Sequence, residues 1–111
     1  MPTVEKKSLD HPEETFKPEK MRMEGVKLRG LSIRRITADP GWQWSKHVKP
    51  FQKTESCQKD HLLVMISGRV LVRMNDGKEE EFGPGDVGSI PPGHDGWTVG
   101  DQPAVWMEIP H

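Results

Sequence analysis

The chain has 111 residues, of which 32% are hydrophobic and 30% are charged, and its formal net charge is −1. This length allows one compact domain with a modest core. A near-neutral charge with no concentrated basic face argues against nucleic acid as a partner, and no apolar run approaches the ~20 residues that span a bilayer. The 11 glycines and 10 prolines indicate frequent turns between short strands rather than a helical bundle.

Residues 1–24 are rich in Lys, Glu and Pro, and Val4, Leu9 and Phe16 are the few side chains there that offer apolar surface. Such a composition indicates an N-terminal arm that becomes ordered only by docking. The arm has no apolar core like that of a signal peptide, and a single cysteine cannot form an internal disulfide. We therefore expect a cytoplasmic protein in which residues 25–111 form one domain.

The domain begins with a partial alternation of apolar and basic residues over 25–38, which predicts one or two strands interrupted at Gly30. Asp39-Pro40-Gly41 is a turn. Trp42-Gln43-Trp44 alternates, so we expect both indoles on one face of a strand. An irregular link is predicted to follow over residues 47–56.

The second half of the domain consists of short strands between turns. Asn75-Asp76-Gly77 predicts a tight hairpin, because the centre of such a turn needs positive φ. Further turns lie at Gly83-Pro84-Gly85-Asp86 and at Pro91-Pro92-Gly93. The strands are predicted at residues 62–66, 70–74, 78–82, 87–90, 97–99 and 105–109. Because nothing after residue 25 has a helical period, the pattern indicates an all-β sandwich or barrel.

Two stretches carry the candidate chemistry. The first reads Glu55-x-Cys57-x3-His61-x6-Gly68, and the second runs from Gly85 to the Pro-Pro-Gly turn and beyond it. Together they resemble the two signature motifs of the cupin barrels, whose first motif has His, His and Glu at the places that hold Glu, Cys and His here. The resemblance covers about residues 26–109. It implies a single-domain jelly-roll β-barrel, a metal in the barrel mouth and frequent dimerisation, but no particular substrate.

The second motif departs from the family pattern. The family's metal histidine would stand three residues after the Pro-x-Gly glycine, where this chain has Gly96, and a histidine stands two positions earlier at His94. In an extended segment a shift of two positions preserves the face, so His94 is expected to point inward. The segments 40–45 and 94–97 also resemble an uncharacterised subgroup of short bacterial cupins.

The ligand types suggest which metal is bound. A thiolate from Cys57 with imidazoles from His61 and His94 suits zinc, with iron second, and disfavours magnesium and calcium. Glu55 is a candidate fourth ligand, a candidate general base beside a metal-bound water, or a solvated side chain. The alternative is that Cys57 is a small buried hydrophobe and His61 a polar residue at the end of a strand.

Four other residues complete the candidate site. Asp95 is expected either to hydrogen-bond a liganding imidazole or to serve as a turn residue. Trp42, Trp44 and Trp97 are candidates to line the mouth of a ligand pocket, where indoles hold flat or apolar molecules, and core packing is their alternative role.

The leading hypothesis is a metal-binding cupin that holds a small organic ligand in its barrel, with an unknown reaction if it is an enzyme. The alternative is a non-catalytic ligand-binding or sensor module whose metal is structural or absent. A homodimer is expected from the resemblance, with the arm adding a strand to the partner subunit. Redox sensing through Cys57 stays open, because it depends on the pKa and exposure of the thiol.

Overall fold

The structure is a computed structural model that describes residues 3–52, 56–57 and 60–110. None of the helices within these ranges is long and apolar enough to cross a membrane. The elements, in chain order, are β1 (Glu14–Phe16), β2 (Met21–Leu28), β3 (Leu31–Ala38), α1 (Trp44–His47), α2 (Lys49–Gln52), β4 (His61–Ser67), β5 (Arg69–Met74), β6 (Glu79–Phe82), β7 (Val87–Ile90), β8 (His94–Val99) and β9 (Ala104–Glu108).

Antiparallel strands form two sheets. The larger sheet has the order β1-β2-β3-β9-β4-β7, and the smaller one has the order β6-β5-β8. Ile36, Met65 and Trp106 of the larger sheet share one buried core with Val70 and Val72 of the smaller. The all-β prediction is confirmed. The described strands do not close into one continuous barrel. Beyond β8 the smaller sheet is extended only by two isolated bridges, from Gln43 to Trp97 and from Cys57 to His94.

The N-terminal residues belong partly to the larger sheet. β1 pairs with β2 of the same chain, and β2 already begins at Met21, so the predicted boundary at residue 24 falls inside a strand. Before β1, Asp10 accepts a hydrogen bond at 3.0 Å from the guanidinium of Arg35 on β3. Lys7 likewise donates to the Lys27 carbonyl oxygen on β2 at 2.6 Å. The described part of the arm therefore lies along its own domain.

Two hairpin turns have the backbone conformation that a tight hairpin requires. Arg29 and Gly30 both have positive φ, at 53° and 75°, which joins β2 to β3 as a two-residue turn with positive φ at both positions requires. At the predicted Asn75-Asp76-Gly77 turn, Gly77 has φ 93° and the Met74 amide donates to the Lys78 carbonyl at 2.8 Å. These local signals therefore place β2, β3, β5 and β6 in register.

The strand predicted at Trp42-Gln43-Trp44 is wrong. Gln43 is extended, but Trp44 begins α1, in the region predicted to be strand and irregular link. The cause is distant in sequence, since one oxygen of Asp95 accepts from the Ser45 amide at 3.0 Å and so satisfies the first turn of α1. Both indoles are buried all the same, with Trp42 5% and Trp44 6% exposed.

Candidate metal centre

Three side chains from two parts of the chain lie close together. Cys57, His61 and His94 each offer one ligand atom, and these atoms all lie within 4.8 Å of one another. The Cys57 Sγ and the His61 Nε2 are 3.6 Å apart. A tetrahedral zinc ion with Zn–S of ~2.3 Å and Zn–N of ~2.0–2.1 Å places its sulfur and nitrogen ligands ~3.6 Å apart and two nitrogens ~3.4 Å apart. The Cys57 and His61 ligand atoms therefore already have the spacing of two zinc ligands, and the His94 ligand atom lies within 4.8 Å of both.

Main-chain hydrogen bonds fix two of these residues to each other. The Cys57 amide donates to the His94 carbonyl, and the Gly93 amide donates to the Cys57 carbonyl, both at 2.7 Å. Gly93 has φ 93°, a left-handed conformation that glycine adopts without steric cost and that turns the chain from Pro-Pro into β8. His61 enters from the other sheet as the first residue of β4.

His94 points inward, as the spacing of the second motif predicts. Burial alternates along β8, so that His94 and Gly96 share the buried face and the shift of two positions leaves the histidine directed at the core. The His94 Nδ1 lies 2.8 Å from the Pro91 carbonyl oxygen. Because a carbonyl can only accept, Nδ1 carries the proton, and Nε2 presents its lone pair to a metal.

Glu108 contacts the cluster and was not predicted from the sequence. Its Oε1 lies 2.9 Å from the His61 Nδ1, and its Oε2 accepts from the Trp106 Nε1 at 3.3 Å. Burial raises the pKa of Glu108, but the hydrogen bonds from His61 and Trp106 outweigh burial and hold it below its usual value. The available signal was an acidic residue two positions after Trp106, on the inward face of an otherwise apolar strand.

The pKa of His61 depends on the same contacts. Burial lowers the pKa of this imidazole, whereas hydrogen bonds to Cys57 and Glu108 raise it, and together they bring it to about 9. Glu108 thus orients the His61 ring through Nδ1 and leaves Nε2 directed at the thiol. A carboxylate in this place increases the basicity of a liganding imidazole and fixes its orientation.

Two other predicted site residues have different outcomes. Glu55 lies outside the described residues. Asp95 does not contact the imidazoles, because it follows His94 on β8 and so points to the opposite face. Its carboxylate accepts from the Gln43 side chain at 2.9 Å and from the Ser45 amide. The role predicted for Asp95 is taken by Glu108.

The cluster forms part of the wall of a cavity of about 390 Å³. Trp42 and Trp44 line this cavity as predicted, but Trp97 does not, because it lies on the same outward face of β8 as Asp95. Trp106 contributes the third indole instead, and the lining also includes Phe16, Met21, Met23, Ile36, Val48, Leu63, Val72 and Ile90. Cavities of ~300–1,000 Å³ with mainly apolar walls are typical of small-molecule sites.

One row of paired residues crosses the larger sheet towards the metal centre. Strand register places Glu14 beside Gly25, Gly25 beside Arg34, and Arg34 beside Glu108. The Arg34 Nε donates to the Glu14 Oε1 at 2.9 Å. A Cβ on Gly25 would come within 2.8 Å of that carboxylate oxygen, so the missing side chain of Gly25 leaves room for the hydrogen bond between Arg34 and Glu14. We call Glu14, Arg34 and Glu108 the polar row.

An apolar row runs parallel to the polar row and is displaced from it by two residues on each strand, in the same direction across the sheet. It consists of Phe16 beside Met23, Met23 beside Ile36, and Ile36 beside Trp106. All four side chains line the cavity. The wall that the larger sheet provides is therefore charged along one row and hydrophobic along the next.

Comparison with known proteins finds solved structures that have a similar fold. No family model matches the sequence, and no curated protein matches it. Among solved structures, the fold is similar to the Lactobacillus farciminis oxalate decarboxylase in its formate complex, at 20% identity and a TM-score of 0.61 over 86% of this chain. The chain spans only 30% of that enzyme's length.

Two smaller proteins are also similar. The polyketide cyclase RemF from Streptomyces resistomycificus is 14% identical, with a TM-score of 0.68 over 96% of this chain and 78% of its own. A cupin-like protein from Thermotoga maritima is 16% identical, with a TM-score of 0.57 over 80% of this chain and 66% of its own. At these identities the similarity concerns the fold alone. The fold of this protein is that of the small cupins.

Proposed function

We propose that this protein binds a divalent metal ion through Cys57, His61 and His94 and holds a small organic ligand in the adjoining cavity. The observation that carries the proposal is the convergence of three ligand atoms within 4.8 Å on the cavity wall. The nitrogens of both imidazoles that face away from the cluster are hydrogen-bonded, to Glu108 and to the Pro91 carbonyl. This arrangement directs the His61 Nε2 towards the thiol and leaves the His94 Nε2 available as a ligand.

The donor set favours zinc, with iron second, because a thiolate is a poor ligand for hard cations. When bound, such an ion supplies a Lewis acid and lowers the pKa of a coordinated water. The chain's own contribution is to hold His61 through Glu108, to hold His94 through Pro91, and to exclude water with its apolar walls. Glu55 remains a proposed fourth ligand or base.

Elemental analysis of the purified protein tests the metal site. We expect near one zinc or iron per chain in the wild type, and its loss in Cys57→Ala and in His94→Ala. His11→Ala is the matched control, because His11 is exposed and its side chain is far along the chain from the cluster. Wild-type protein that carries no stoichiometric metal after zinc loading refutes the proposal.

A non-catalytic binding or sensor module is the second candidate. Both oxygens of Glu108 and both oxygens of Asp95 accept hydrogen bonds from the chain itself, which favours positioning roles for these two carboxylates. The apolar row also suits a ligand larger and less polar than oxalate. Turnover of any candidate substrate by the metal-loaded protein eliminates this second candidate.

We further propose a cytoplasmic homodimer. Val87 on β7 is 66% exposed and Ile66 on the neighbouring β4 is 52% exposed, so both side chains offer a partner subunit apolar surface to cover. Light scattering is expected to give twice the chain mass for the wild type and a monomer for Val87→Glu. A wild-type monomer at all concentrations rejects the dimer.

A further inference from the structure

Gly96 on β8 is the one glycine for which the described residues give no backbone or packing reason. Every other glycine either has positive φ or lies so close to a neighbouring group that a Cβ would come within 3.0 Å of it. The first group comprises Gly30, Gly41, Gly68, Gly77, Gly85, Gly93 and Gly100, and the second comprises Gly25, Gly83 and Gly88. A Cβ on Gly96 would meet only ordinary contacts, at 3.5 Å from the Leu71 carbonyl oxygen and 4.0 Å from the Val72 side chain.

A glycine inside a strand needs a cause, because it destabilises the strand relative to alanine. Such a glycine often marks a bulge, a bend, or a place where another backbone or a ligand comes close. β8 pairs with β5 without a shift of register on either side of Gly96. No described backbone atom lies closer to the missing Cβ than the Leu71 oxygen, which is at an ordinary van der Waals distance. The cause that remains is a ligand.

The open side of Gly96 faces the cavity. Burial alternates along β8, so Gly96 lies on the same inward face as His94, and both residues line the cavity. Two residues along a strand span ~7 Å. A group that rests on Gly96 therefore lies beside His94 and next to the metal centre.

Apolar side chains flank this open place on both sides of β8. Val72 is the partner of Gly96 on β5, and it lines the cavity. On the other side, an isolated bridge holds the segment 42–44, whose two indoles also line the cavity. Between these walls the bare peptide groups at Gly96 form a flat floor, because peptide units are planar. A planar ring can pack on this floor at van der Waals distance.

We propose that Gly96 determines the specificity of the site, because its missing side chain leaves a slot beside His94 that takes a flat apolar ring of the ligand. The proposal rests on the ligand-binding half of the proposed function, and it requires no particular charge in the cavity. A side chain at position 96 would occupy the slot and exclude the ring, while β8 keeps its pairing with β5.

Naphthalene is a suitable probe because it is flat, apolar and uncharged. We would measure its Kd for the wild type, Gly96→Ala, Gly96→Val and Trp97→Phe. Gly96→Val should bind naphthalene about tenfold more weakly than the wild type, because its side chain fills the slot, and Gly96→Ala should lie between the two. Trp97→Phe is the matched control and should bind as the wild type does, because it changes the next residue of β8 on the outward face.

Thermal unfolding without the probe separates this role from a structural one. Gly96→Ala should raise Tm by about 2–5 °C, because alanine favours the strand and restricts the unfolded chain where the added Cβ meets no clash. A glycine that the backbone itself requires would give the opposite sign. A Gly96→Ala protein that is less stable than the wild type therefore overturns the proposal.

NMR and zinc content separate failure of this proposal from failure of the proposed function. Naphthalene should shift the Gly96 α-proton resonances of the wild type through its ring current, and Gly96→Ala should keep the zinc content of the wild type. Naphthalene binding that leaves these resonances in place, or that neither Gly96 variant weakens, overturns the role of Gly96 alone. A wild type that binds zinc but no naphthalene overturns it together with the ligand-binding half of the proposed function. If Gly96→Val does not fold, Gly96→Ala and the wild-type resonances decide.

Discussion

Glu108→Gln tests how the metal centre is supported. The carboxylate accepts from two donors, the His61 Nδ1 at 2.9 Å and the Trp106 Nε1 at 3.3 Å. Glutamine has the same shape but only one acceptor oxygen, so one of the two N–H groups must face an amide N–H. Leaving a buried donor unsatisfied costs ~1–3 kcal/mol of stability.

The effect on metal affinity follows from the same change. Loss of a hydrogen-bonded carboxylate behind a liganding histidine typically weakens metal binding by ~10–100-fold. Glu108 also raises the pKa of His61, so its removal reduces competition by protons and offsets part of the loss. We therefore expect zinc binding about tenfold weaker, or ~1.4 kcal/mol.

Competition with a chromophoric zinc chelator measures this difference. Glu81→Gln is the control, because Glu81 lies on the exposed hairpin strand β6 and pairs with Arg69. The reasoning is refuted if Glu108→Gln binds zinc within twofold of the wild type, or if Glu81→Gln weakens binding as much.

Three further predictions concern stability. Gly68→Ala should lower the free energy of unfolding, measured in denaturant, by at least ~2 kcal/mol, because φ is 69° and a Cβ would overlap the Pro103 carbonyl oxygen. Gly77→Ala is the control and should lose only ~1 kcal/mol, because Gly77 has φ 93° but no atom within 4 Å of the added Cβ. Equal losses in the two variants would contradict this prediction. Zinc at about 1,000 times its Kd should raise the free energy of unfolding by ~4 kcal/mol in the wild type and not in Cys57→Ala, and similar gains in both would contradict the site. Asp95→Ala should cost ~1–2 kcal/mol of stability through the uncapped α1 while the zinc content stays at the wild-type level, and loss of zinc would restore the role first predicted for it.

The strands were predictable from the sequence because their signals are local. Glycine at positions that need positive φ, as in Asn75-Asp76-Gly77, marks a turn whatever surrounds it. Period-two alternation then assigns the faces of the strands between the turns. The two-residue shift of His94 could be interpreted for the same reason, since β8 is extended from His94 onward.

The errors arose where a contact over a long sequence separation decides the outcome. The helix at Trp44 depends on Asp95, about fifty residues later, and no local pattern near Trp44 shows that partner. Glu108 is found only once β9 lies beside β4, which brings its carboxylate to His61. Trp97 was assigned to the pocket by residue type, whereas its position in β8, one residue after Gly96, sets its face.

The polar row has a consequence for how the metal centre responds to its surroundings. Arg34 and Glu14 are about half exposed, at 42% and 47%, while Glu108 behind them is 23% exposed. At an ionic strength of 0.1 M the screening length is ~10 Å, so dissolved salt weakens the field of the outer pair far more than that of the inner one. Arg34 also lowers the pKa of Glu108, but it is the smallest of the influences on this carboxylate, after burial, His61 and Trp106. Dissolved salt therefore acts mainly on the outer Arg34–Glu14 pair, and the buried contact between Glu108 and His61 is largely shielded from changes in ionic strength.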